Sequence, residues 1–297
     1  MTKPRIALVI GIVCISLFPI LVKLELAPPI TSAFYRMAIA AAVLVPYGII
    51  SGKLKLPSIK LLVLTVVCGA LFALDVTVWN ISIQQSTATQ ATLLTNLSPV
   101  WVGIGSFFFL KNKPTTNFWI GTVIAIFGMM TLVGFHFFRD LDFNLAFTFA
   151  ILSGIFYAIY MLVSKFVLYD MEVIPFITLS TLTSAFFLAI LTFSFSEPFT
   201  GFSDMGWFVL VVQGIVCQLM AWLLLGYATK YMRATRVSVS LLGQAVLTTI
   251  LAWAFISEKI TLQMILGGII LLFGIRVTFY NKKIFSFAGN TDGNTIT

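Results

Sequence analysis

The chain has 297 residues, of which 60% are hydrophobic and 9% are charged. A soluble domain carries about 25% charged residues, so this composition excludes an ordinary soluble protein and indicates a membrane protein. The net charge of +8 does not indicate nucleic-acid binding, because basic loops in a membrane protein record its orientation and can contact anionic lipids. We therefore expect membrane lipids and no nucleic acid among its partners.

Ten apolar runs are long enough to cross the membrane, since a hydrocarbon core of roughly 30 Å needs about 20 residues in a helix. The first run follows Lys3 and Arg5, but no cleavage site of small residues comes after it, so we predict an uncleaved helix rather than a signal peptide. The sequence therefore predicts an all-α integral membrane protein. The predicted spans are 5–24, 30–50, 60–82, 88–110, 117–137, 145–168, 173–194, 205–229, 234–256 and 262–281.

The basic residues predict the orientation of these spans. If the N-terminus is cytoplasmic, fourteen Lys and Arg residues fall in cytoplasmic segments and only Lys23, Arg139 and Lys259 fall outside. This bias predicts that both termini lie in the cytoplasm and that the chain is a multi-pass protein of the cell (inner, cytoplasmic) membrane. The fourteen are Lys3, Arg5, Lys53, Lys55, Lys60, Lys111, Lys113, Lys165, Lys230, Arg233, Arg236, Arg276, Lys282 and Lys283.

An internal repeat divides the chain into two halves. A shift of 146 residues aligns 83–130 with 229–276 without a gap. Each half has five helices, and because five is an odd number the second half must enter the membrane from the opposite side. We predict inverted repeats at 5–137 and 145–281, followed by a mobile cytoplasmic tail at 282–297.

The charges in one pair of loops agree with this inversion. The segment "QQSTATQ" (84–90) aligns with "KYMRATR" (230–236), so three polar residues are replaced by cations in the copy predicted to face the cytoplasm. Such a change is what the orientation rule requires when one fold is used in both directions.

Three segments carry a recognisable pattern: "PPITSAFYRMAIAAAVL" (28–44), "ATQATLLTNLSPVWVGIGSFFFLKNKPTTNFWIGTVIAIFG" (88–128) and "ATRVSVSLLGQAVLTTILAWAFISEKITLQMILGGIILLFG" (234–274). Their order and spacing resemble the EamA family of the drug/metabolite transporter superfamily over residues 6–281. The resemblance implies two five-helix repeats and a secondary transporter that exports small metabolites.

Several residues match features common in that family. These are an arginine in the second helix, Arg36, a proline in the fourth, Pro99, and a turn at Glu258-Lys259-Ile260-Thr261. The equivalent turn at Asn112-Lys113-Pro114-Thr115 lacks the glutamate. The relatives suggest amino acids or related compounds as substrates, aromatic amino acids among them. A drug or cation efflux carrier of the same fold is the alternative, and a channel, receptor or intramembrane enzyme is a more distant one.

Two ionisable residues, Asp75 and Arg36, lie within predicted spans, where an unpaired charge is costly and therefore suggests function. Counting 1.5 Å per residue from the outer helix ends puts Asp75 roughly 13 Å deep and Arg36 about 10 Å deep. Three interpretations remain open: a structural ion pair or an arginine that reaches the interface, contacts with a zwitterionic substrate, and Asp75 as the proton carrier of an antiporter.

Other polar and aromatic residues at helical spacing are candidates for lining a substrate cavity. For each, the alternatives are hydrogen bonding between helices or, for the tryptophans, a position in the interfacial belt. The candidates are Trp79 and Asn80 on the third helix, Thr92 and Asn96 on the fourth, Tyr157 and Tyr160 on the sixth, Gln218 and Trp222 on the eighth, and Gln244 on the ninth.

Prolines and glycines predict features of helix shape. Pro19, Pro46 and Pro99 fall within spans, where proline frees a carbonyl and permits either a hinge or a fixed kink. The glycines of 121–128 and 267–274 form smooth faces, which indicate packing between the fifth and tenth helices or dimerisation. The sequence therefore leaves monomer and homodimer open.

No pattern for catalysis, a metal or a cofactor is found. HExxH and GxSxG motifs are absent, the sequence has a single histidine, His136, and its cysteines lack CxxC spacing. We predict no enzyme activity, no catalytic residues, no metal and no cofactor. No nucleotide-binding loop is present either, so the expected energy source is a proton gradient or the substrate's own gradient.

Overall fold

The computed structural model describes residues 2–85, 94–111, 113–134, 145–257 and 259–280, and these residues form helices and loops without strands. Ten helices follow one another, three of them in consecutive segments. They are α1 (Thr2–Ser16 and Phe18–Lys23), α2 (Pro29–Ile50), α3 (Ile59–Gln85), α4 (Ser98–Phe109), α5 (Thr116–Val133), α6 (Leu145–Asp170), α7 (Val173–Ser194), α8 (Asp204–Val212, Gln213–Met220 and Ala221–Tyr231), α9 (Ala234–Leu241 and Gly243–Ile256) and α10 (Leu262–Thr278).

Eight of these helices are long and apolar enough to cross a membrane, and α4 and α10 are shorter apolar helices of 12 and 17 residues. The predicted all-α fold with ten spans is confirmed. The first part of the predicted fourth span and the tail at 282–297 lie outside the described residues. The limits of the two halves and the orientation in the membrane stay predictions.

The repeated turn has the same structure in both halves. Thr115 caps α5 by accepting a hydrogen bond from the backbone N–H of Phe118, and Thr261 caps α10 in the same way through Met264. Both threonines are extended, with φ near −90°. A threonine cap stabilises a helix by about 1 kcal/mol, which explains why both copies of the turn keep this residue.

The packing of the helices follows the repeat. α3 packs against α6 and α7, and its counterpart α8 packs against α1 and α2. α4 contacts α6 just as α9 contacts α1, while α2 with α7, α4 with α9, and α5 with α10 form pairs of equivalent helices. Exchanging the two halves therefore leaves these pairings unchanged. Two repeats related by a pseudo-two-fold axis have this arrangement, and their opposite orientation in the membrane stays a prediction.

The α5–α10 pair is held together by the four glycines. A Cβ atom at Gly128 would overlap the backbone of Leu271, and one at Gly267 would overlap the backbone of Leu132. Gly121 and Gly274 approach the opposite helix just as closely. The glycine faces are thus buried inside one chain, which is the first of the two arrangements that the sequence left open.

Two of the three prolines named above lie in the first turn of a helical segment. The two segments of α1 meet at Leu17, so Pro19 lies in the first turn of the second segment, and Pro99 lies in the first turn of α4. A proline in a first turn leaves no intrahelical hydrogen bond unmade. Pro46, by contrast, lies inside the uninterrupted helix α2.

The breaks within α8 and α9 have no proline. Residues Gln213–Met220 of α8 form a π-helix of eight residues between two α-helical segments. π-Helical turns are rare and occur frequently at functional sites. This segment packs against α2, which carries Arg36.

Candidate functional site

Asp75 on α3 is held by the other half of the molecule. Its side chain is buried, and its carboxylate accepts a hydrogen bond of 2.5 Å from the Ser153 hydroxyl on α6. Thr95, just before α4, donates to the Ser153 oxygen at 3.3 Å and to the carbonyl of Ala150 at 3.2 Å. A chain of hydroxyl groups therefore connects the acid to α4 and α6.

Arg36 on α2 is buried against aromatic rings, with only 3% of its surface exposed. Its Cζ lies 4.2 Å from the ring centroid of Phe18 and 5.8 Å from that of Phe72, distances at which a cation and a ring attract each other. The Nε atom is buried and has no hydrogen-bond partner. Among the described residues no salt bridge joins Arg36 to Asp75, so the guanidinium keeps a donor available.

Three aromatic rings from both halves contact one another between these charges. The ring of Phe72 lies 4.8 Å from that of Trp222 and 5.4 Å from that of Tyr160, and Tyr160 lies 5.5 Å from Trp222. Tyr157 adjoins Tyr160 at 6.2 Å. Phe72 is one turn before Asp75 on α3, so the acid and the rings share one region. We call Phe72, Tyr160 and Trp222 the aromatic triad.

Two more polar groups near the triad lack partners. Gln218 lies in the π-helical segment and Trp222 follows it by one turn. The Gln218 Oε1 acceptor and the Trp222 Nε1 donor are both buried without a hydrogen bond. Buried polar groups are almost always paired, so two orphaned groups beside the orphaned donor of Arg36 indicate a place for a polar ligand.

The triad separates two small cavities. One is lined by all three rings, by Gln218 and by the hydroxyls of α7 at Ser180, Thr181 and Ser184. The other is lined by Tyr157, Tyr160 and Trp222. It extends past Ser164 to Thr229, toward the C-terminal ends of α6 and α8. Tyr160 and Trp222 border both cavities, so movement of these two side chains would connect them.

Polar contacts also join the helices at both ends. At the predicted outer end, Glu197 in the loop after α7 accepts hydrogen bonds from the N–H and the hydroxyl of Thr31 at 2.7 and 2.9 Å, at the start of α2. At the predicted cytoplasmic end, Lys165 donates to the carbonyls of Thr229 and Lys230 at 2.8 Å each. Lys230 in turn pairs with Glu172 at 2.8 Å.

The structure thus brings together six of the predicted site residues: Asp75, Arg36, Tyr157, Tyr160, Gln218 and Trp222. Trp79, Asn96 and Gln244 are half-buried, and no described ring contact or hydrogen bond joins them to the triad. Thr92 and the side chain of Asn80 lie outside the described part of the structure.

Sequence reasoning did not assign four residues to the site. They are Phe18, Phe72, Ser153 and Thr95. Phe72 could have been found from its position one turn before Asp75. The others reach the site from other helices, and an apolar phenylalanine or a single hydroxyl in a membrane span carries no signal of its own.

Comparison with known proteins gives matches over nearly the whole chain. The EamA-like transporter family matches residues 3–134 and 144–280, once in each half. An uncharacterized transporter of Bacillus subtilis (strain 168), YdfC, is 25% identical over 267 residues, covering 89% of this chain and 86% of that protein.

Two further matches extend this result. A protein of Rickettsia prowazekii (strain Madrid E) named as an S-adenosylmethionine uptake transporter is 27% identical over 167 residues, which cover 56% of this chain and about half (52%) of that protein. A solved crystal structure superposes with a TM-score of 0.80 at 17% identity, covering 94% of this chain and 97% of the other, and this likeness shows the fold. The chain, with its two matched halves and its ten helices, belongs to the EamA-like transporter family.

Proposed function

We propose that this protein is a secondary transporter that exports small metabolites, amino acids or related compounds, across the cytoplasmic membrane by alternating access. The observation that carries the proposal is the set of unpaired buried groups around the aromatic triad: the donors Arg36 Nε and Trp222 Nε1 and the acceptor Gln218 Oε1. All three lie where the two halves of the molecule meet.

These groups match the two charged ends of an amino acid. A carboxylate accepts hydrogen bonds, and arginine binds it through a planar fork of donors, here together with the indole N–H. An ammonium group donates, and Asp75 with Gln218 Oε1 supplies acceptors. One positive and one negative residue in the same buried region favour a zwitterion over a substrate with a large net charge.

The rings of the triad supply the rest of the binding surface. Aromatic rings offer a large apolar area with little loss of conformational entropy, so they suit an apolar or aromatic substrate side chain. An S-adenosylmethionine-like substrate is a second candidate, supported by the name of the Rickettsia relative, because it combines the same amino-acid group with a ring that can stack.

Alternating access is supported by the pseudo-two-fold packing and by the polar contacts that join the helices at both ends. Each half places α3 or α8 against the first two helices of the other half, so the two halves can exchange conformations around a fixed central site. Glu197 and Lys165 form the contacts that would open in turn. Asp75 is our candidate for the proton carrier if export is driven by a proton gradient.

Transport by the purified full-length chain in proteoliposomes tests the proposal. Vesicles loaded with a labelled panel of aromatic and aliphatic amino acids, S-adenosylmethionine and cationic drugs would be assayed for efflux and uptake, with and without a pH gradient. We expect transport of at least one zwitterion and poor transport of the corresponding amino-acid amide, which lacks the carboxylate.

Each other outcome bears on one part of the proposal. Transport of cationic drugs alone would favour the efflux carrier of the same fold. Equal transport of an amino acid and its amide would contradict the assignment of Arg36 and Trp222 to the carboxylate. Uptake without efflux would contradict the direction, and no transport of any compound in the panel would contradict the substrate class.

A further inference from the structure

The Ser153 hydroxyl on α6 is bonded differently from many other hydroxyls inside the helices. A serine or threonine in a helix commonly donates to a carbonyl of its own helix. Buried hydroxyls that donate to the carbonyl four residues earlier are those of Ser16, Thr65, Thr77, Thr178 and Thr192. Ser153 instead donates across to Asp75 Oδ1 on α3, at 2.5 Å. This hydroxyl therefore serves the acid rather than its own helix.

A second hydroxyl continues the chain from Ser153. An ionised carboxylate only accepts hydrogen bonds, so the hydrogen between Ser153 and Asp75 belongs to the serine. The Ser153 oxygen in turn accepts from the Thr95 hydroxyl at 3.3 Å, and the carbonyl of Ala150 holds the same hydroxyl at 3.2 Å. Two O–H groups are thus aimed one after the other at the acid. We call Thr95 and Ser153 the hydroxyl relay.

The relay leads from a buried acid toward the predicted outer side. Ser153 is fully buried, whereas Thr95 is half-buried and precedes α4, whose N-terminal end is predicted to face outward. The segment fits closely against α6 because residue 154 is a glycine. A Cβ atom at Gly154 would lie 3.0 Å from the carbonyl oxygen of Thr95, so a side chain there would push Thr95 away from Ser153.

The groups around Asp75 leave it as the place where a proton can be held. Arg36 on α2 and Tyr157 on α6 interact with it electrostatically, and α7, the other helix packed against α3, carries no charged or titratable side chain. A guanidinium keeps its proton in proteins, and a phenol releases one only in alkaline solution. Among these groups, Asp75 is therefore the one that can take up and release a proton under physiological conditions.

We propose that the hydroxyl relay delivers a proton from the outer side to Asp75. In this step Asp75 takes the proton of Ser153, the Ser153 oxygen takes that of Thr95, and Thr95 takes one from a hydronium ion, which becomes water. Both hydroxyls end unchanged, and the carboxylate becomes a neutral acid. The proposal rests on the proposed function in one respect, because a proton entering from outside is what would drive export of a substrate in the opposite direction.

The protonation of Asp75 can be timed in the purified chain without any substrate. Infrared difference spectra in lipid nanodiscs would be recorded after a flash releases protons from a caged compound. The carboxyl band that appears in the wild type and is missing in Asp75→Asn reports the protonated acid. The rate at which this band appears measures delivery, and its frequency reports the hydrogen bond from Ser153.

Two variants interrupt the relay without touching the acid. Thr95→Val removes the outer hydroxyl at nearly constant shape, and Gly154→Ala keeps both hydroxyls but separates them. A positioned group speeds proton transfer by roughly 10²–10⁴-fold, so we expect the band to appear about tenfold more slowly or slower still in either variant, at an unchanged frequency. Thr178→Val is the matched control, because it removes a buried hydroxyl that bonds only within α7, and it should leave the rate unchanged. If Gly154→Ala does not fold, Thr95→Val gives the same comparison.

Three results would overturn the proposal. These are an unchanged rate in Thr95→Val, which would show that protons reach Asp75 by another route, an equal slowing in Thr178→Val, and no carboxyl band from Asp75 at any pH. The outcome is separate from that of the transport assay. Slower protonation in Thr95→Val would support the relay even if no compound of the panel were transported, which would contradict the proposed function alone.

Discussion

Asp75 is anchored to the second half of the molecule by a neutral hydroxyl, and Arg36 is covered by rings. In a membrane interior, each charge held in this way still needs a partner of opposite sign, because hydrogen bonds from neutral groups do not cancel it. Under the proposed function, the two residues act as separate binding groups for one ligand rather than as a closed ion pair.

We expect Asp75→Asn to fold and to lose transport. The amide oxygen can still accept the hydrogen bond from Ser153, so the packing is kept, while the interaction with an ammonium group or a proton is removed. The rate of transport in proteoliposomes should fall by about tenfold or more, and any dependence on a pH gradient should disappear. Unchanged transport and pH dependence would show that Asp75 is structural.

Trp222→Phe tests the indole N–H apart from the ring. Phenylalanine keeps the aromatic contact with Phe72 and Tyr160 but removes one donor, so we expect the KM for the transported substrate to rise about fivefold, the effect of one lost hydrogen bond. Trp253→Phe is the matched control, because Trp253 on α9 is 58% exposed on the surface facing lipid. A similar change in both variants would contradict a binding function for Trp222.

At the scale of the helices, the asymmetry between α3 and α8 stands out. The two helices are equivalent in the repeat, yet α3 carries Asp75 and α8 carries Ala221 at the same offset, directly after the π-helical segment Gln213–Met220. One half supplies the acid, and the other supplies the unpaired amide and indole. In the proposed site, the two halves therefore contribute different groups.

The closure at the predicted outer end can be weakened by one substitution. Glu197→Gln keeps the shape of the side chain but replaces charged acceptors at the N-terminus of α2 with a neutral one, a loss of about 1 kcal/mol. We expect the unfolding midpoint to fall by about 2–4 °C. Glu25→Gln, the same change at an exposed acid, should leave the midpoint unchanged, and equal effects would rule out this closing contact.

Hydropathy was sufficient to place the helices. The second span was predicted at 30–50 and is found at Pro29–Ile50, and the seventh was predicted at 173–194 and is found at Val173–Ser194. The limits agree because the membrane core sets both the length and the polarity of a span. The π-helix of α8 could not be predicted, since its sequence lacks proline and helical periodicity does not mark a π-helix.

The site was predictable only in part, for a related reason. Asp75 and Arg36 are visible in the sequence because charges are rare within spans. Tyr160 and Trp222 are visible because polar aromatic residues at helical spacing are candidates for lining a cavity. Their contacts depend on which helix faces which, and helical periodicity on one helix does not give that information. Trp79 illustrates the limit, since it follows Asp75 by one turn and yet has no described contact with the triad.

For the whole molecule, the positive-inside bias and the change of charge between the repeated loops predict one orientation. Cysteine labelling in intact cells tests it, and the background is low because Cys14, Cys68 and Cys217 are buried. A reagent that cannot cross the membrane should label Thr200→Cys, in the loop after α7, and should not label Lys55→Cys, in the loop after α2, until the cells are permeabilised. The reverse pattern would place both termini outside.

The glycine contacts between α5 and α10 have a consequence for biosynthesis. α10 is made after α5, and more than a hundred residues separate the two helices. At a synthesis rate of about 5–20 residues per second, the glycine face of α5 has no contact with α10 for roughly 6 to 25 s. During that interval the nascent chain exposes helix backbone to lipid or to the insertion machinery, so a chain that stops before Leu262 lacks the helix that completes its assembly.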